Sequence, residues 1–449
     1  VGANVYIRQL QKGAVSNESG DYIIDNIAKG TYELTVSYVG YVTKNQIVNL
    51  TENLVLNFQL TPNPVLLQET VVKGTRATLR ETPVAFTEVQ GADLEFKLSS
   101  RDVPQMLNTT PNVYSSVQGG ASGDANLYVR GFNQRDIAIM INGVPVNDME
   151  NGWVYWSNWA GLGDVTSSIQ VQRGLGASPY SVNAIGGIVN VITQGVGHRT
   201  DFVRLKTEFG SENLQKTSVA FSTNLSSRIG LTALVSKKTW DGYADATPID
   251  EFTYFFSLGG VFGNHSLEFT GVGSPQEHGQ RIYRQTINTY YTRGFNYNQN
   301  WGKLNDEVVW ETYNKYHKPQ FNLNWNWQLS EKSILSTIGY FSFGNGYGTG
   351  RIGSSFPYRA DGTINFDAVY ASNSTNIDTN YSSTLKRSKT ALRKSVNNHL
   401  WTGLLSTFKY DISESMILNV GFDGRYYKGE HYRTLSNMLG GDYFVDNTD

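Results

Sequence analysis

The sequence predicts a mainly β protein in three parts: a small β-sandwich, a mixed α+β unit, and part of a large transmembrane antiparallel β-barrel. Three observations predict it. Aromatic residues make up 13% of the chain, Gly is 45 of 449 and charged residues are only 17%, a composition that favours strands over soluble helices. Beyond residue 200, large apolar and polar side chains alternate with a period of two. The connections between those alternating stretches switch between tight and long, the asymmetry of the two rims of an outer-membrane barrel.

The same composition excludes several classes. With no Cys, there is no disulfide framework, Cys-ligated zinc or iron–sulfur cluster. A formal charge of −2, from 37 basic and 39 acidic residues, gives no overall attraction for nucleic acid. No run reaches the roughly 18 apolar residues of a membrane helix. A mean hydropathy of −0.36 still suits a barrel, whose lumen face is polar. The chain opens at Val1 with neither an initiator Met nor a signal peptide, so a processed or truncated N-terminus is expected.

Residues 1–61 read as the sandwich. Alternating β-prone stretches at 3–7, 20–24 and 30–36 are separated by Gly turns at a spacing near ten residues. Thr61-Pro62-Asn63-Pro64 breaks the pattern, and residues 62–78 read as a linker. Residues 79–197 read as the α+β unit. A helix is expected over 92–108, with Asp93 near its positive end, Leu94, Leu98, Met106 and Leu107 as apolar candidates, and Pro111 as the stop. Strands are expected at 127–130, 137–141, 168–172 and 187–192.

Residues 198–449 read as barrel wall. Phe321, Leu323, Trp325, Trp327 and Leu329 alternate with Gln320, Asn322, Asn324, Asn326 and Gln328. A strand between lipid and a wet lumen requires that division. Nine such strands are expected, at 202–209, 215–223, 229–238, 252–261, 265–272, 319–329, 333–343, 399–410 and 415–427. The stretches 224–228, 262–264, 330–332 and 411–414 are tight turns; 238–251, 273–318 and 344–398 are long loops; 210–214 is a short exception. Nine strands in about 250 residues scale to roughly 600 for a plugged barrel of about 22 strands. An odd strand count would leave an open edge in lipid, so a truncated chain is expected.

Taken in order, the three regions resemble a TonB-dependent outer-membrane receptor of the subclass with a carboxypeptidase-regulatory-like N-terminal domain, within the SusC-like and iron-receptor superfamily. In the first region the resemblance rests on Gly13-Ala14-Val15-Ser16, Gly20-Asp21-Tyr22, Gly30-Thr31-Tyr32 and Ser37-Tyr38-Val39-Gly40-Tyr41. In the second, the plug, it rests on Val129-Arg130-Gly131-Phe132, Ile141-Asn142-Gly143-Val144-Pro145-Val146, Ile169-Gln170-Val171-Gln172-Arg173-Gly174 and the run from Ala184 to Thr193. The family more often has Asp where Asn142 stands, Glu where Gln170 stands, and Tyr-Gly where Tyr180-Ser181 stands.

This resemblance implies import of a scarce nutrient (a metal chelate, cofactor, oligosaccharide or peptide) across the outer membrane of a Gram-negative bacterium. It implies neither an enzymatic activity nor a resident cofactor. Partners would be TonB in the periplasm, outer-membrane lipid, an imported ligand that the sequence does not name, and a surface lipoprotein if the chain works as SusC-like pairs do. The rival reading is a structural or assembly component that uses the barrel as a scaffold. The segment Leu67, Gln68, Glu69, Thr70, Val71, Val72 and Lys73 resembles a TonB box. It is β-prone and follows a Pro-rich break, as pairing by strand addition requires; a linker strand packed in its own chain is the plainer reading.

Candidate ligand-binding residues fall in two stretches. Trp153, Tyr155, Trp156 and Trp159 crowd together near Asn147, Asp148, Glu150 and Asn158, at the expected plug apex. Their rings would stack on a sugar or apolar chelate, or would only wedge the plug against the wall. The loop 273–318 mixes Arg281, Arg284 and Arg293 with Tyr283, Tyr290, Tyr291, Phe295 and Tyr297, suited to an anionic or sugar-like ligand, to lipopolysaccharide, or to an ordinary rim. Family plug arginines pair with barrel carboxylates, which implies contacts from Arg130 and Arg173, with Glu208 and Glu268 as candidate acids. The Gly-rich stretches 118–124 and 174–178 lack the Gly-Lys-Ser/Thr of a phosphate loop. None of the six His forms His-Glu-x-x-His, and Asp148 with Glu150 shows no glycosidase separation.

Overall fold

The computed structural model describes residues 2–446 except 18, 39–40, 62–76, 78–83, 92, 95–99, 121–122, 175–183, 196–200, 227 and 414. The box-like segment 67–73 therefore lies outside the described residues, as does Tyr180-Ser181.

The N-terminal unit is a four-stranded antiparallel sheet in the order Lys12–Val15, Asn4–Ile7, Gly30–Ser37, Lys44–Leu50. One face buries Val5, Ile7, Leu34, Val36 and Val48. Its second layer is not a ladder. Residues 20–24 and 54–60 cover the face as irregular segments, tied by the Tyr22 hydroxyl donating to the Leu56 carbonyl at 3.0 Å.

The second unit centres on a five-stranded sheet, ordered Val144–Pro145, Ile137–Ile141, Gly187–Thr193, Thr166–Arg173, Ala85–Gln90. Ile137–Ile141 and Gly187–Thr193 run parallel; the other pairs are antiparallel. Ile137–Ile141 and Gly187–Thr193 read as near-continuous apolar runs because both their faces are covered: Ile139, Ile141, Val189 and Val191 are buried on one face and Ala138, Met140 and Ile188 on the other. Asn142 and Gly143, with φ of 51° and 81°, make the tight hairpin turn that this dipeptide favours. The Asn142 side chain also donates to Thr193 Oγ1 and accepts from the Thr193 N–H, each at 2.9 Å.

The expected helix over 92–108 is corrected. Residues 91, 93 and 94 are helical, while 92 and 95–99 lie outside the described residues. Asp102 has extended backbone (φ −70°, ψ 151°), which interrupts any single helix over the span; a helical turn follows at Val103–Met106, and Leu107–Thr109 is 3₁₀. Asp102 and Gln105 form a reciprocal capping box with Pro104 in the first turn. Pro is tolerated there and breaks a helix interior.

Among the described residues, nine long strands form the wall: Phe202–Gly210, Leu214–Asn224, Ile229–Trp240, Ile249–Phe262, His265–Gly273, Gln320–Ser330, Ser333–Gly353, Thr390–Ser413 and Met416–Asn437. Each pairs antiparallel with the next. The fifth and sixth continue past breaks at Pro275 and Pro319 as Gln276–Gly279 and Tyr313–His317, in the same sheet, since Pro cannot donate to a ladder. The expected loop 273–318 thus shortens to 280–312. The last three strands reach 21, 24 and 22 residues, well past the expected 343, 399 and 427. Above lipid a strand needs no apolar face, so the alternation that marked it fades in stretches such as 344–353.

Burial in the wall is inverted relative to a water-soluble sheet. Gln320, Asn322, Asn324 and Asn326 are 3, 2, 5 and 1% exposed, whereas Leu323 is 50% exposed and Leu329 40%. Lys216, Ser218 and Ser222 are buried while Val219 and Phe221 face outward. Polar side chains therefore cover the second unit and apolar ones face away from it, as lipid outside and a filled lumen inside demand.

Candidate functional site

The site is built where the apex of the second unit meets the long-loop side of the wall. Asn147 fixes the apex: its Oδ1 accepts from the Ile139 N–H at 2.8 Å, and its Nδ2 donates to the carbonyls of Gln134, Ile137 and Gly152 at 3.0–3.1 Å. Asp148 Oδ1 then accepts from the main chain of Glu150 and Asn151, which closes the turn and sends Trp153 and Tyr155 out. The Arg135 guanidinium lies 5.0 Å from the Trp153 ring centre.

From the wall side, the Arg281 N–H donates to the Gly119 carbonyl at 2.8 Å, stitching the loop to the apex. Arg281 Nη1 donates to the carbonyls of Phe295 and Tyr297, and the guanidinium faces the Tyr243 and Tyr290 rings at 5.2 and 5.7 Å. Thr286 caps the short helix Ile287–Arg293 by accepting from the Thr289 N–H. These two surfaces enclose a cavity of about 310 Å³ lined by Trp153, Tyr155, Asp124, Tyr283, Arg284 and Tyr290, among others. Rings provide stacking faces there, and Arg284, Asp124 and amides provide polar contacts, as a small-ligand pocket needs. Asp124 Oδ2 accepts from Gln280 Nε2 at 3.0 Å and lies 3.6 Å from His278 Nε2.

Two stretches far apart in sequence are thus brought together, with Trp153 and Tyr155 on one side and Arg281, Arg284 and Tyr290 on the other. The remaining candidates sit elsewhere. Trp156 and Trp159 turn into the apolar core, Trp156 donating to Gln134 Oε1 at 2.9 Å. Asn158 is buried beside them, Tyr291 is exposed on the loop helix, and Glu150 leans on the wall, 2.8 Å from His431 Nε2. Burial pushes the Tyr155 hydroxyl above its usual range, so it stays a neutral hydrogen-bonding group.

Arg173 donates to Thr87 Oγ1 at 2.6 Å within its own unit. Arg130 is exposed, with φ of 54°. Glu208 engages Lys206, Lys216 and Ser100, and Glu268 accepts from Ser257 Oγ. Glu208 thus joins the wall to Ser100 of the inner unit, though not through Arg130 or Arg173, and further groups join the two bodies. Lys216 Nζ lies 2.7 Å from Asp164 Oδ2, with both side chains about 5% exposed. Lys238 Nζ donates to the Ser100 carbonyl and lies 3.7 Å from Glu251. Sequence reasoning missed these contacts. The signal was present: Lys216, Lys238 and Glu251 occupy the lumen parity of their strands, where a buried charge requires an opposite charge.

A wall that is polar within and apolar without, stoppered by a mixed α+β unit, defines the fold class: a plugged transmembrane β-barrel. A TonB-dependent receptor plug domain model matches residues 78–188, and a CarboxypepD_reg-like domain model matches residues 1–72. The ferric enterobactin receptor of Pseudomonas aeruginosa is 27% identical over 196 residues, 39% of this chain and 26% of that protein. The vitamin B12 transporter BtuB of Vibrio vulnificus is 27% identical over 115 residues, 26% of this chain and 18% of that one. The unliganded ferric citrate transporter FecA shares the fold with a TM-score of 0.55 at 14% identity, over 80% of this chain and 49% of its own. The ferric preacinetobactin receptor BauA of Acinetobacter baumannii does so at 0.53 and 13%, over 81% and 51%. The chain spans about half the length of these two solved structures and about a quarter or less of those two curated relatives. Its first two regions therefore match, in order, a CarboxypepD_reg-like domain and a TonB-dependent receptor plug domain.

Proposed function

We propose that the protein imports a scarce nutrient across the outer membrane of a Gram-negative bacterium, powered by TonB, without covalent chemistry. One observation carries this reading: the cavity is made half by the plug apex and half by a wall loop. A ligand there touches both bodies, so its binding is coupled to how the plug sits. Trp153, Tyr155, Arg284 and Tyr290 make first contact; Asn147, Asp148 and Arg281 position them; Asn158, Trp156 and Trp159 brace the apex from beneath. The outer membrane holds no ATP, so work arrives mechanically, and Leu67 to Lys73 is the segment to which TonB adds a strand. The proposed boundaries are 1–61 for the regulatory-like domain, 62–78 for the linker, 79–197 for the plug and 198–449 for wall. The ligand class, a metal chelate, cofactor, oligosaccharide or peptide, includes the ferric siderophores and vitamin B12 named in the relatives.

Deleting residues 67–73 from the protein in its native host tests the reading. Nutrient-limited growth that depends on the protein should stop while the barrel still reaches the outer membrane. Growth that survives the deletion would instead support a scaffold that imports nothing.

A further inference from the structure

Residue 77 is gripped by a single side chain. The Ala77 N–H donates to Gln170 Oε1 at 2.7 Å, and the Ala77 carbonyl accepts from Gln170 Nε2 at 3.0 Å. Gln172 Nε2 donates to the same Oε1 at 3.0 Å, orienting the carboxamide. Ala77, Gln170 and Gln172 are all buried. Gln170 lies in the middle of Thr166–Arg173, with Asn190 opposite it on one neighbouring strand and Glu88 on the other. The grip is therefore rooted in the central sheet of the plug.

The chemistry of this grip is specific. A primary carboxamide offers an acceptor and a donor side by side, and so grips the N–H and the C=O of one residue together. A carboxylate accepts from the N–H but sets a second oxygen against the carbonyl. An aliphatic side chain leaves both main-chain groups buried and unpaired, which is disfavoured. Both bonds go to one residue, so they break together rather than one after another.

We propose that Gln170 is a positioning residue for transport: it clamps the lead into the plug at Ala77 and passes to the central sheet any load applied upstream. This rests on the proposed function, because the load would come from residues 67–73, and Lys73 stands only a few positions before Ala77.

The chain has no Cys, so Ala77→Cys places a single buried thiol at the clamp of the full-length protein. Its labelling by a charged maleimide in isolated outer membranes, normalised to the denatured protein at each pH, reports opening. Labelling should be slow with Gln170 intact and about tenfold or more faster with Gln170→Leu, the size expected when a buried amide pair is lost. With Gln170→Glu it should be fast near pH 8 and slow toward pH 5, where a protonated carboxyl donates to the carbonyl again. That pH profile is one that a merely structural role would not produce. Equal rates in all three backgrounds, or a Gln170→Glu rate with no pH dependence, would overturn the clamp. Hydrogen exchange across Gly187–Thr193 shows that the plug sheet persists in each variant. In energised cells, the Ala77→Cys rate should rise only when residues 67–73 are present. A clamp that behaves as stated in membranes, but whose rate ignores energy and the 67–73 deletion, refutes TonB-driven loading rather than the Gln170 grip.

Discussion

Asp102 shows how one buried carboxyl can tie the firmness of the plug to pH. It caps the short helix Val103–Met106 and accepts from the Gly123 N–H at 2.7 Å. Burial pushes its carboxyl up to about 6, against the opposing pull of Lys238 and the Gly123 hydrogen bond. A carboxyl whose folded value exceeds its unfolded one, near 4, adds stability that is full below about pH 4 and lost as pH rises through about 6. The lift from 3.8 to about 6 corresponds to at most about 3 kcal/mol. Hydrogen exchange of residues 103–109 should slow as pH falls from 7 to 5, after correction for intrinsic rates, and Asp102→Asn should flatten that trend. A pH-independent protection in the parent protein would contradict this account. The aromatic cluster divides at the same scale. Trp156→Ala should lower plug stability by about 3–5 kcal/mol, as for a core ring, measured by urea unfolding. Trp153→Ala should leave that midpoint nearly unchanged and weaken ligand retention. Equal midpoints for the two would place both rings outside the core. The sequence made the cluster visible but not this division, because stacking and packing use the same rings.

Among the elements, legibility followed the regularity of the surroundings. All nine wall strands could be read from period-two alternation because lipid and lumen impose it residue by residue. Several ends at tight turns were read to the residue, as at Ile229, His265 and Ser333, where the pattern restarts sharply. The helix expected over 92–108 is interrupted at Asp102 for a local reason: Asp102-Val103-Pro104-Gln105 spells a new helix start, which apolar spacing alone overrode. The strands Ala85–Gln90 and Val113–Val117 went unread because each is short and lacks a sustained alternation. Pairing between elements was legible only as parity. Lys216 sits on the lumen side of its strand, but its partner Asp164 lies in a 3₁₀ turn of the plug. Lys216→Met should leave that carboxylate buried and unpaired, and loosen plug docking by about 3–5 kcal/mol. The double variant with Asp164→Leu should recover most of the loss. Protease cleavage of the plug in intact membranes reads both; no difference between single and double variants would deny the pair its role.

For the whole molecule, the governing fact is which face meets which solvent. Leu323→Lys, on the outward face of the sixth wall strand, should cost about 2–4 kcal/mol of barrel stability in lipid vesicles if the site lies near the midplane. Folding titrations in such vesicles check it, and an unchanged midpoint would mean that this face does not meet hydrocarbon. The order of the three parts was evident from texture and motif. The cavity was not, since it depends on residues 119 and 281 becoming neighbours through a main-chain hydrogen bond, which no local pattern encodes.

The three longest strands carry a further consequence. At about 3.3 Å per residue, 21–24 residues reach roughly 70–80 Å along the chain, against about 30 Å of hydrocarbon. Even when tilted, such ribbons rise tens of ångströms above the lipid as stiff girders rather than loose tethers. The mouth of the barrel is thereby lifted clear of the crowded headgroup zone and opens into free water well above the bilayer.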